Sequence, residues 1–572
     1  MTQRFSFRNY SRKDAAGDLI AGLTVVVMLV PQSMAYALVA GLPAIVGLYA
    51  SFLPVIVYGL LGSSRILTLG PTAITSVMTL AIISSIEGVT PAEYVALAGL
   101  LSLLLGIVYL LMGVLRLGFI VNLLSQPVLV GYVNAAALII LIGQLQHLIG
   151  VSAAGSAQPH QVLLGTLQAL PTLNLATCAI SVGSIALLLW FRGPLDRRLA
   201  RTRLPETLRL AITRSGPLVL TLCVTLLVYV LRLDLRAGVA TVGAVPAGLP
   251  RFTMPTDFTH WQSLLLGAVA IAFVGFMEGI STAKSLLSQR QQTLRPNREL
   301  IAMGAANIAS TFTGGLPVTT SISRSAVNHA AGARSGFSSV VAGLVLGGTL
   351  LFLAPVFAYL PRAVLASIIA VTVINLLDVR SLREMWRYTK TETLISLLTL
   401  AGVLAVGIET GILLGIGLMA GLHFFRTTRL RITELGRLGF TEFYDEVARP
   451  DIYPVPSVLI VRVDESLYFA NAQTFDTTLR NALAERPETR YLILVCSPIN
   501  SLDATAVQLL SDLTAEMRDL EVEMFLVGVK GRAFTRLRES GYLQLLNRER
   551  LFGTVHEAVE ATGQLIDDSL PI

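Results

Sequence analysis

Charge is what this chain lacks most. Asp, Glu, Lys and Arg together make up 14% of its 572 residues, against roughly 25% in an average soluble domain. With 53% hydrophobic residues and a mean hydropathy of +0.69, that shortage excludes an ordinary soluble globular protein. Cysteine is scarce too: Cys178, Cys223 and Cys496 have a spacing that suits neither a disulfide framework nor a metal site. The six histidines are scattered. There is no nucleophile–base constellation, phosphate loop or metal-ligand cluster, so the reading is of a non-enzyme without metal or cofactor. The N-terminal "MTQRFSFRNYSRKDAAGD" has no short apolar core followed by a small-residue cleavage site, so it is not a signal peptide. It reads as a cytosolic lead-in, 1–17. The net charge of +7 is explained by membrane topology, not by nucleic acid.

In place of charge there are apolar runs. "DLIAGLTVVVMLV", "ALAGLLSLLLGIVYLLMGVL" and "PLVLTLCVTLLVYVL" approach or reach the roughly 20 residues that cross a bilayer. Fourteen spans follow, at about 18–39, 43–61, 71–86, 92–114, 124–146, 174–191, 216–233, 262–286, 299–313, 320–331, 338–358, 361–377, 391–408 and 409–425. The chain thus reads as a polytopic α-helical membrane protein. Lys and Arg concentrate in cytoplasmic loops. With the N-terminus inside, the inner loops hold Arg65, Arg116, an arginine cluster within 192–214, Arg290, Arg295, Arg298, Arg334, the run 380–390 and Arg426, Arg429 and Arg431. Outer positive charge is confined to Arg236, Arg251 and Arg362, with Arg232 at a span end. This parity puts both termini in the cytoplasm of a cell (inner) membrane protein.

The basic loop at 192–214 divides the spans into two sets of seven. An odd-numbered unit repeated in tandem must invert, which gives a 7+7 inverted repeat, about 18–233 and 262–425 of a transmembrane domain 18–430. Two segments then share the third position: "LTLGPTAITSVMTLAIISS" (67–85) and "GLPVTTSISRSAVNHAAGARS" (315–335). Both open on Gly, Pro and hydroxyls, and matched interrupted segments point to a transporter binding site. A half-helix starting near Thr320 would expose unpaired N–H groups and its positive dipole end, and Pro71-Thr72-Ala73 would face it with the same polarity. Arg324 adds a full charge whose guanidinium can fork onto an oxyanion, and Ser321 and Ser323 add donors. The alternative role for Arg324 is structural, paired with a carboxylate.

Two further spans carry polar groups. Glu278 lies mid-span in "AVAIAFVGFMEGISTAKSLL", with Thr282 one turn on along the same face. A buried carboxylate there can carry a proton, or can form a fixed ion pair with Arg324 or Lys284. In "LVPQSMAYALVAGLP", Pro31 breaks the backbone pairing, while Gln32 and Tyr36 share a face. After about residue 440 the composition changes. "VPSVLIVRVDESLYFAN", "RYLILVCSPINSLD" and "VEMFLVGV" read as strands, and "DATAVQLLSDLTAEMRDL" and "GRAFTRLRESGYLQLL" as helices. They give a small cytosolic α/β domain, 453–572, joined by a linker, 431–452.

These pieces together resemble the SulP (sulfate permease) family, which includes plant sulfate transporters and, in animals, pendrin and prestin. The matching stretches are "VPQSMAYALVAGLPAIVGLYASFLPVIVYGLLGSSR", "LGPTAITS", "FVGFMEGIS" and "SISRSAVNHAAGARS", and "INSLDATAVQLL" is similar to the STAS-domain motif. The resemblance implies core and gate domains, elevator-type alternating access and a homodimer. It also implies an anion between the third and tenth helices, with Gln32, Tyr36, Thr72, Ala73, Ser321, Ile322 (through its backbone), Ser323 and Arg324 around it. Glu278 would serve proton coupling, supported by Thr282. Where soluble STAS relatives carry Asp-Ser-Ser-Gly with a phosphorylatable serine, this chain has Asp503-Ala504-Thr505-Ala506; Thr505 has a hydroxyl that can accept phosphate, but the replaced motif speaks against a phospho-switch. The STAS domain is otherwise expected to serve assembly or cytosolic partner contact.

The expected function is secondary active uptake of a small anion, sulfate first, with a proton as the co-transported ion and sodium as the alternative. Bicarbonate or dicarboxylate transport, or anion exchange, is the second reading. A passive anion channel or voltage-responsive protein comes third, because a passive pore needs no buried titratable acid.

Overall fold

The computed structural model describes residues 11–122, 125–151, 159–202, 209, 212–213, 215–243, 245–287, 294–439 and 441–563. Residues 1–10 of the expected lead-in, and Arg203, Arg214 and Arg290 of the basic loops, lie outside the described residues. The chain divides into two compact units, one to Met419 and one from Ala420.

The first unit is all helix apart from two short strands. A helix stands at each expected span position: α1 (Arg12–Val39), α2 (Ala44–Leu61), α3 (Ala73–Ser84), α4 (Pro91–Val114), α5 (Gln126–Ile149), α6 (Leu175–Trp190) and α7 (Gly216–Leu231). The second set is α8 (Trp261–Leu287), α9 (Pro296–Phe312), α10 (Ile322–Ala330), α11 (Phe337–Phe352), α12 (Arg362–Val373), α13 (Lys390–Ala405) and α14 (Ile408–Thr428). Shorter helices at Pro159–Gln168 and Val379–Tyr388 fall in connections expected to be loops. At 12 and 9 residues, α3 and α10 are far below the roughly 20 needed to cross a bilayer. Each is preceded by a two-residue strand, β1 (Leu69–Gly70) and β2 (Thr319–Thr320), and the two strands pair antiparallel, Leu69 opposite Thr320 and Gly70 opposite Thr319.

Two carboxylates that the sequence reading passed over hold this arrangement. Glu299, in the first turn of α9, is buried and accepts from Tyr58 Oη (2.8 Å), the backbone N–H of Ser63 (2.8 Å) and Ser64 (2.6 Å), and Ser63 Oγ (2.5 Å). It fixes the turn that leaves α2 for β1. Asp18, buried in α1, accepts from the N–H groups of Arg334 (2.6 Å) and Ser335 (3.0 Å) just past α10.

Two boundaries are corrected. The sixth span does not end at 191: α6 runs on through a π-helical turn, Phe191–Leu195, into Asp196–Leu199. The expected linker 431–452 is not a linker either. It contributes β3 (Ile432–Leu438), β4 (Tyr444–Glu446) and β5 (Ile452–Tyr453), and β3 pairs antiparallel with β6 (Val458–Val463). Glu434, Gly436 and Arg437 hid β3, which lies inside the sheet between β4 and β6, and β4 and β5, at three and two residues, are too short to show alternation.

In this second unit, β6 is followed in parallel by β7 (Tyr491–Val495), β8 (Glu523–Val527) and β9 (Leu551–Phe552). Leu459, Val461 and Val463 enter one core and Val458 and Ile460 the other, so both faces of the sheet are covered. Asp503 caps the helix Ala504–Asp519 through the Ala506 N–H (2.9 Å) and also accepts the Phe469 N–H (2.7 Å), tying two helix starts together. Thr505 is solvent-exposed in the first turn of that helix. Burial pushes the Cys496 thiol up to about 12.

Two outcomes follow. Glu299→Ala strands a buried hydroxyl and two buried amides, and should destabilise the protein by about 3 kcal/mol, read as a lower melting temperature in detergent, with Glu299→Gln losing less. With Cys178 and Cys223 changed to serine, maleimide at pH 7 should leave the folded chain unlabelled and label Cys496 only on unfolding, because the thiolate is the reactive form. Rapid labelling of the native protein would contradict this.

Candidate functional site

The antiparallel pair places non-helical backbone at membrane depth, where unpaired N–H and C=O groups cost several kcal/mol each. Side chains from around it take up those groups. Ser325 Oγ accepts the Thr68 N–H (3.0 Å), and the Ser321 N–H donates to Thr68 O (3.0 Å). Asn328 Nδ2 donates to Ile66 O (3.0 Å). Asn307 behaves as a surrogate peptide, donating to Val318 O and accepting the Val318 N–H, both at 2.9 Å. Ser325, Asn328 and Asn307, none of them named as a site residue from the sequence, therefore hold backbone. Asn307 and Asn328 were missed, although an asparagine in an apolar span is a readable signal.

Helix α8 lies against β2 through two glycines one turn apart. A Cβ on Gly275 would come within 2.4 Å of Thr319 Cγ2, and one on Gly279 within 2.5 Å of Thr320 Oγ1. Gly70 has φ +151°, and a Cβ there would sit 3.1 Å from Arg324 Nη2. That position combines a backbone suited to glycine with a close approach to the guanidinium.

Thr72 and Ser321 are the N-caps of α3 and α10, their side chains accepting from the N–H groups of Thr75 (3.4 Å) and Arg324 (3.5 Å). Thr319 Oγ1 lies 3.0 Å from Thr72 Oγ1 and 2.8 Å from Thr75 Oγ1, joining the two halves through hydroxyls. The two helix starts open on one cavity of about 440 Å³. Tyr36, Thr72, Ala73, Glu278, Ser321, Ile322 and Ser323 all line it. Seven residues named from the sequence, from four helices and their caps, are thus brought together. First-turn N–H groups and two positive dipole ends facing one cavity favour an anion.

Arg324 and Gln32 do not line the cavity; they stand behind its wall. Arg324 is fully buried, donating from Nη2 to Pro71 O (3.0 Å) and from Nη1 to Gln32 Oε1 (3.4 Å). The guanidinium braces the α3 half against the α10 half and brings its charge close to both helix starts. Glu278 is not hydrogen-bonded or ion-paired to it, and Glu278 Oε2 is buried with no hydrogen-bond partner among the described residues. The side chain of Lys284, the other partner considered, lies outside the described residues. Thr282 Oγ1 donates to the backbone carbonyl of Glu278 (2.7 Å), so it supports the helix and not the carboxylate.

The opposite wall was not foreseen. Arg192, Asp196, Arg209, Thr213, Thr372 and Leu376 complete the lining. Arg192 Nη1 donates to Val371 O (2.9 Å), and Arg209 Nε lies 3.5 Å from Asp196 Oδ1. In the sequence these arginines looked like topology signals; the continuation of α6 brings Arg192 and Asp196 to the cavity, and Arg209 lines it from beyond that helix. A second cavity, about 650 Å³, lies along the same seam, with Leu38 and Gly41 beyond α1's Tyr36 and Arg362 and Ile369 on α12. It shares no lining residue with the first.

Comparison with known proteins places these features in context. The family model described as "Sulfate permease family" matches residues 16–399, and the "STAS domain" model matches residues 449–558. The chain is 32% identical over 565 residues to the chloroplastic sulfate transporter 4.1 of Arabidopsis thaliana, covering 96% of this chain and 81% of that one. It is 33% identical over 562 residues to a probable sulfate transporter of Mycobacterium tuberculosis, covering 97% and 96%. The fold is shared with the murine Solute Carrier 26 family member A9 anion transporter in its inward-facing state (TM-score 0.90, 23% identity, 97% of this chain and 93% of that chain). It is shared more distantly with the transmembrane domain of a cyanobacterium bicarbonate transporter, BicA (TM-score 0.58, 23% identity, 71% of this chain and 98% of that one).

The packing of α8 on β2 gives a direct test. Gly275→Ala and Gly279→Ala should each displace β2, costing about 1–3 kcal/mol by overpacking and weakening anion binding. Melting temperature in detergent and labelled-anion binding measure both; two unchanged values would show that α8 does not hold the strand.

Proposed function

The chain belongs to the sulfate permease family and is an anion transporter, not an enzyme; from that premise we propose that it carries sulfate into the cell together with a proton, by elevator-type alternating access. The observation that carries this reading is the cavity at the two half-helix starts. Its donors are backbone N–H groups, Ser321, Ser323 and Tyr36, which fit an oxyanion without a tightly held counter-ion. The buried, unpartnered Oε2 of Glu278 in the same cavity supports proton coupling. A proton taken there removes one negative charge beside the anion and lowers the cost of bringing a dianion in.

The two cavities on one seam support movement. They sit on successive stretches of the same helices, α1 and α12, with Arg362 and Thr372 ten residues apart, roughly 15 Å of helix. A set containing α1, α3, α8 and α10 that slides against α12 and the α6 extension would open the site to each side in turn. By the distribution of lysine and arginine, the 440 Å³ cavity opens to the cytoplasm, and both termini lie there. A homodimer, with the STAS domain serving assembly or contact with cytosolic proteins, accords with the family resemblance, and Thr505 is its exposed candidate phosphate acceptor.

Uptake of labelled sulfate, bicarbonate and fumarate into proteoliposomes, with and without an inward proton gradient, tests the proposal. Gradient-driven sulfate accumulation is expected; indifference to the gradient sinks proton symport, and preference for either other anion replaces the substrate. Glu278→Gln should lose accumulation and keep sulfate exchange. Arg324→Ala should abolish sulfate binding by releasing Pro71 O and removing the buried charge, a loss of several kcal/mol. Normal affinity in that variant would mean that the helix ends suffice.

A further inference from the structure

The cavity has two walls of different electrical character. On one, the ends of α3 and α10 each present about half a positive charge. Together they amount to roughly one unit, enough to balance a monoanion but not a dianion. The other wall carries discrete charges: Arg192, and Arg209 paired with Asp196.

The local structure that delivers Arg192 is unusual. It belongs to the π-helical turn Phe191–Leu195, which contains Pro194. Proline lacks the N–H that an α-helix would use there, and isolated π turns recur at functional sites. The turn carries the helix on to Asp196, so that Arg192 and Asp196 both line the cavity, one turn apart. Arg192 is steadied by its bond to Val371 O (2.9 Å) near the end of α12. Asp196 meets Arg209 across a long contact, 3.5 Å, with both side chains partly exposed. Such a pair is weak, and its guanidinium can be drawn to a better acceptor.

We infer that Arg192 and the Arg209–Asp196 pair form the second half of the anion site and set its preference for dianions over monoanions. The inference rests on the reading that the anion binds at the α3 and α10 starts. Its physical basis is that the attraction of a fixed positive charge scales with the charge of the anion. A fold-loss for a dianion on removing one arginine is therefore about the square of the fold-loss for a monoanion. Asp196 opposes either anion and restrains Arg209, acting as a built-in competitor that the dianion displaces more readily. Among the described residues, Glu278 also lines the cavity and Arg324 stands behind its wall.

The test is equilibrium binding of labelled sulfate to the purified full-length chain, with nitrate as the monovalent competitor. Arg192→Gln should weaken sulfate about tenfold and nitrate about threefold, the square relation above. Arg192→Lys should recover most of the discrimination, and Asp196→Asn should tighten sulfate by releasing Arg209. Should Arg192→Gln fail to fold, Arg209→Gln is read in its place by the same relation. Equal losses for the two anions, which a purely structural bond to Val371 would give, overturn the inference. So does a sulfate-to-nitrate ratio unchanged across the variants. Absence of sulfate binding by the wild-type chain defeats the underlying reading of the site instead, so the two failures are told apart by the first measurement.

Discussion

The rest of the transport unit depends on one constraint: backbone that leaves the helix at membrane depth must still find its hydrogen bonds. The chain meets it by pairing β1 with β2 and by drafting Ser325, Asn307, Asn328 and Arg324 to serve the amides and carbonyls on either side. Each bond spans the two halves of the sequence or closes the approach to a strand. The pairing in turn fixes where α3 and α10 begin. Their first-turn N–H groups then have no helical acceptor and are turned to a common cavity. The proposed anion site follows from where the backbone bonds run out.

This arrangement explains the division of labour among polar side chains that look alike in sequence. Ser321 and Ser323 face the cavity, while Ser325, within the same turn or two, is spent on Thr68. Arg324 acts through the wall, holding Pro71 and lending its charge to both helix ends. Keeping this guanidinium out of the cavity leaves neutral donors on the wall formed by the α3 and α10 starts, while the charged side chains Arg192 and Arg209 line the cavity from elsewhere. The carboxylates divide likewise. Glu299 and Asp18 are enclosed by donors and fix the approaches to β1 and the exit from α10, whereas Glu278 lines the cavity and its Oε2 has no hydrogen-bond partner among the described residues.

Much of this was legible in the sequence, for identifiable reasons. Membrane spans are long and apolar, so all fourteen helix positions stand out, including the two shortened ones betrayed by Gly, Pro and hydroxyls at matching places. Seven of the named site residues meet at one cavity because motifs at helix starts fix local geometry. The strands β3 to β5 did not stand out, since β3 is interrupted by charged residues and a glycine and β4 and β5 span only three and two residues. Neither did the continuation of α6, since a π turn with a proline and an arginine reads as the end of a span.

What the sequence determined alone is therefore the membrane class, the order of spans, the α/β module and the polar segments at the third and tenth positions. These depend on hydrophobic length and local capping, which neighbouring residues dictate. Tertiary structure alone decided which hydroxyls are consumed by backbone, that Arg324 stands behind the wall, and that Arg192 and Arg209 reach the cavity. Those outcomes depend on which distant groups compete for each hydrogen bond, and that competition is resolved only when α1, α3, α8, α10 and the α6 extension are packed together.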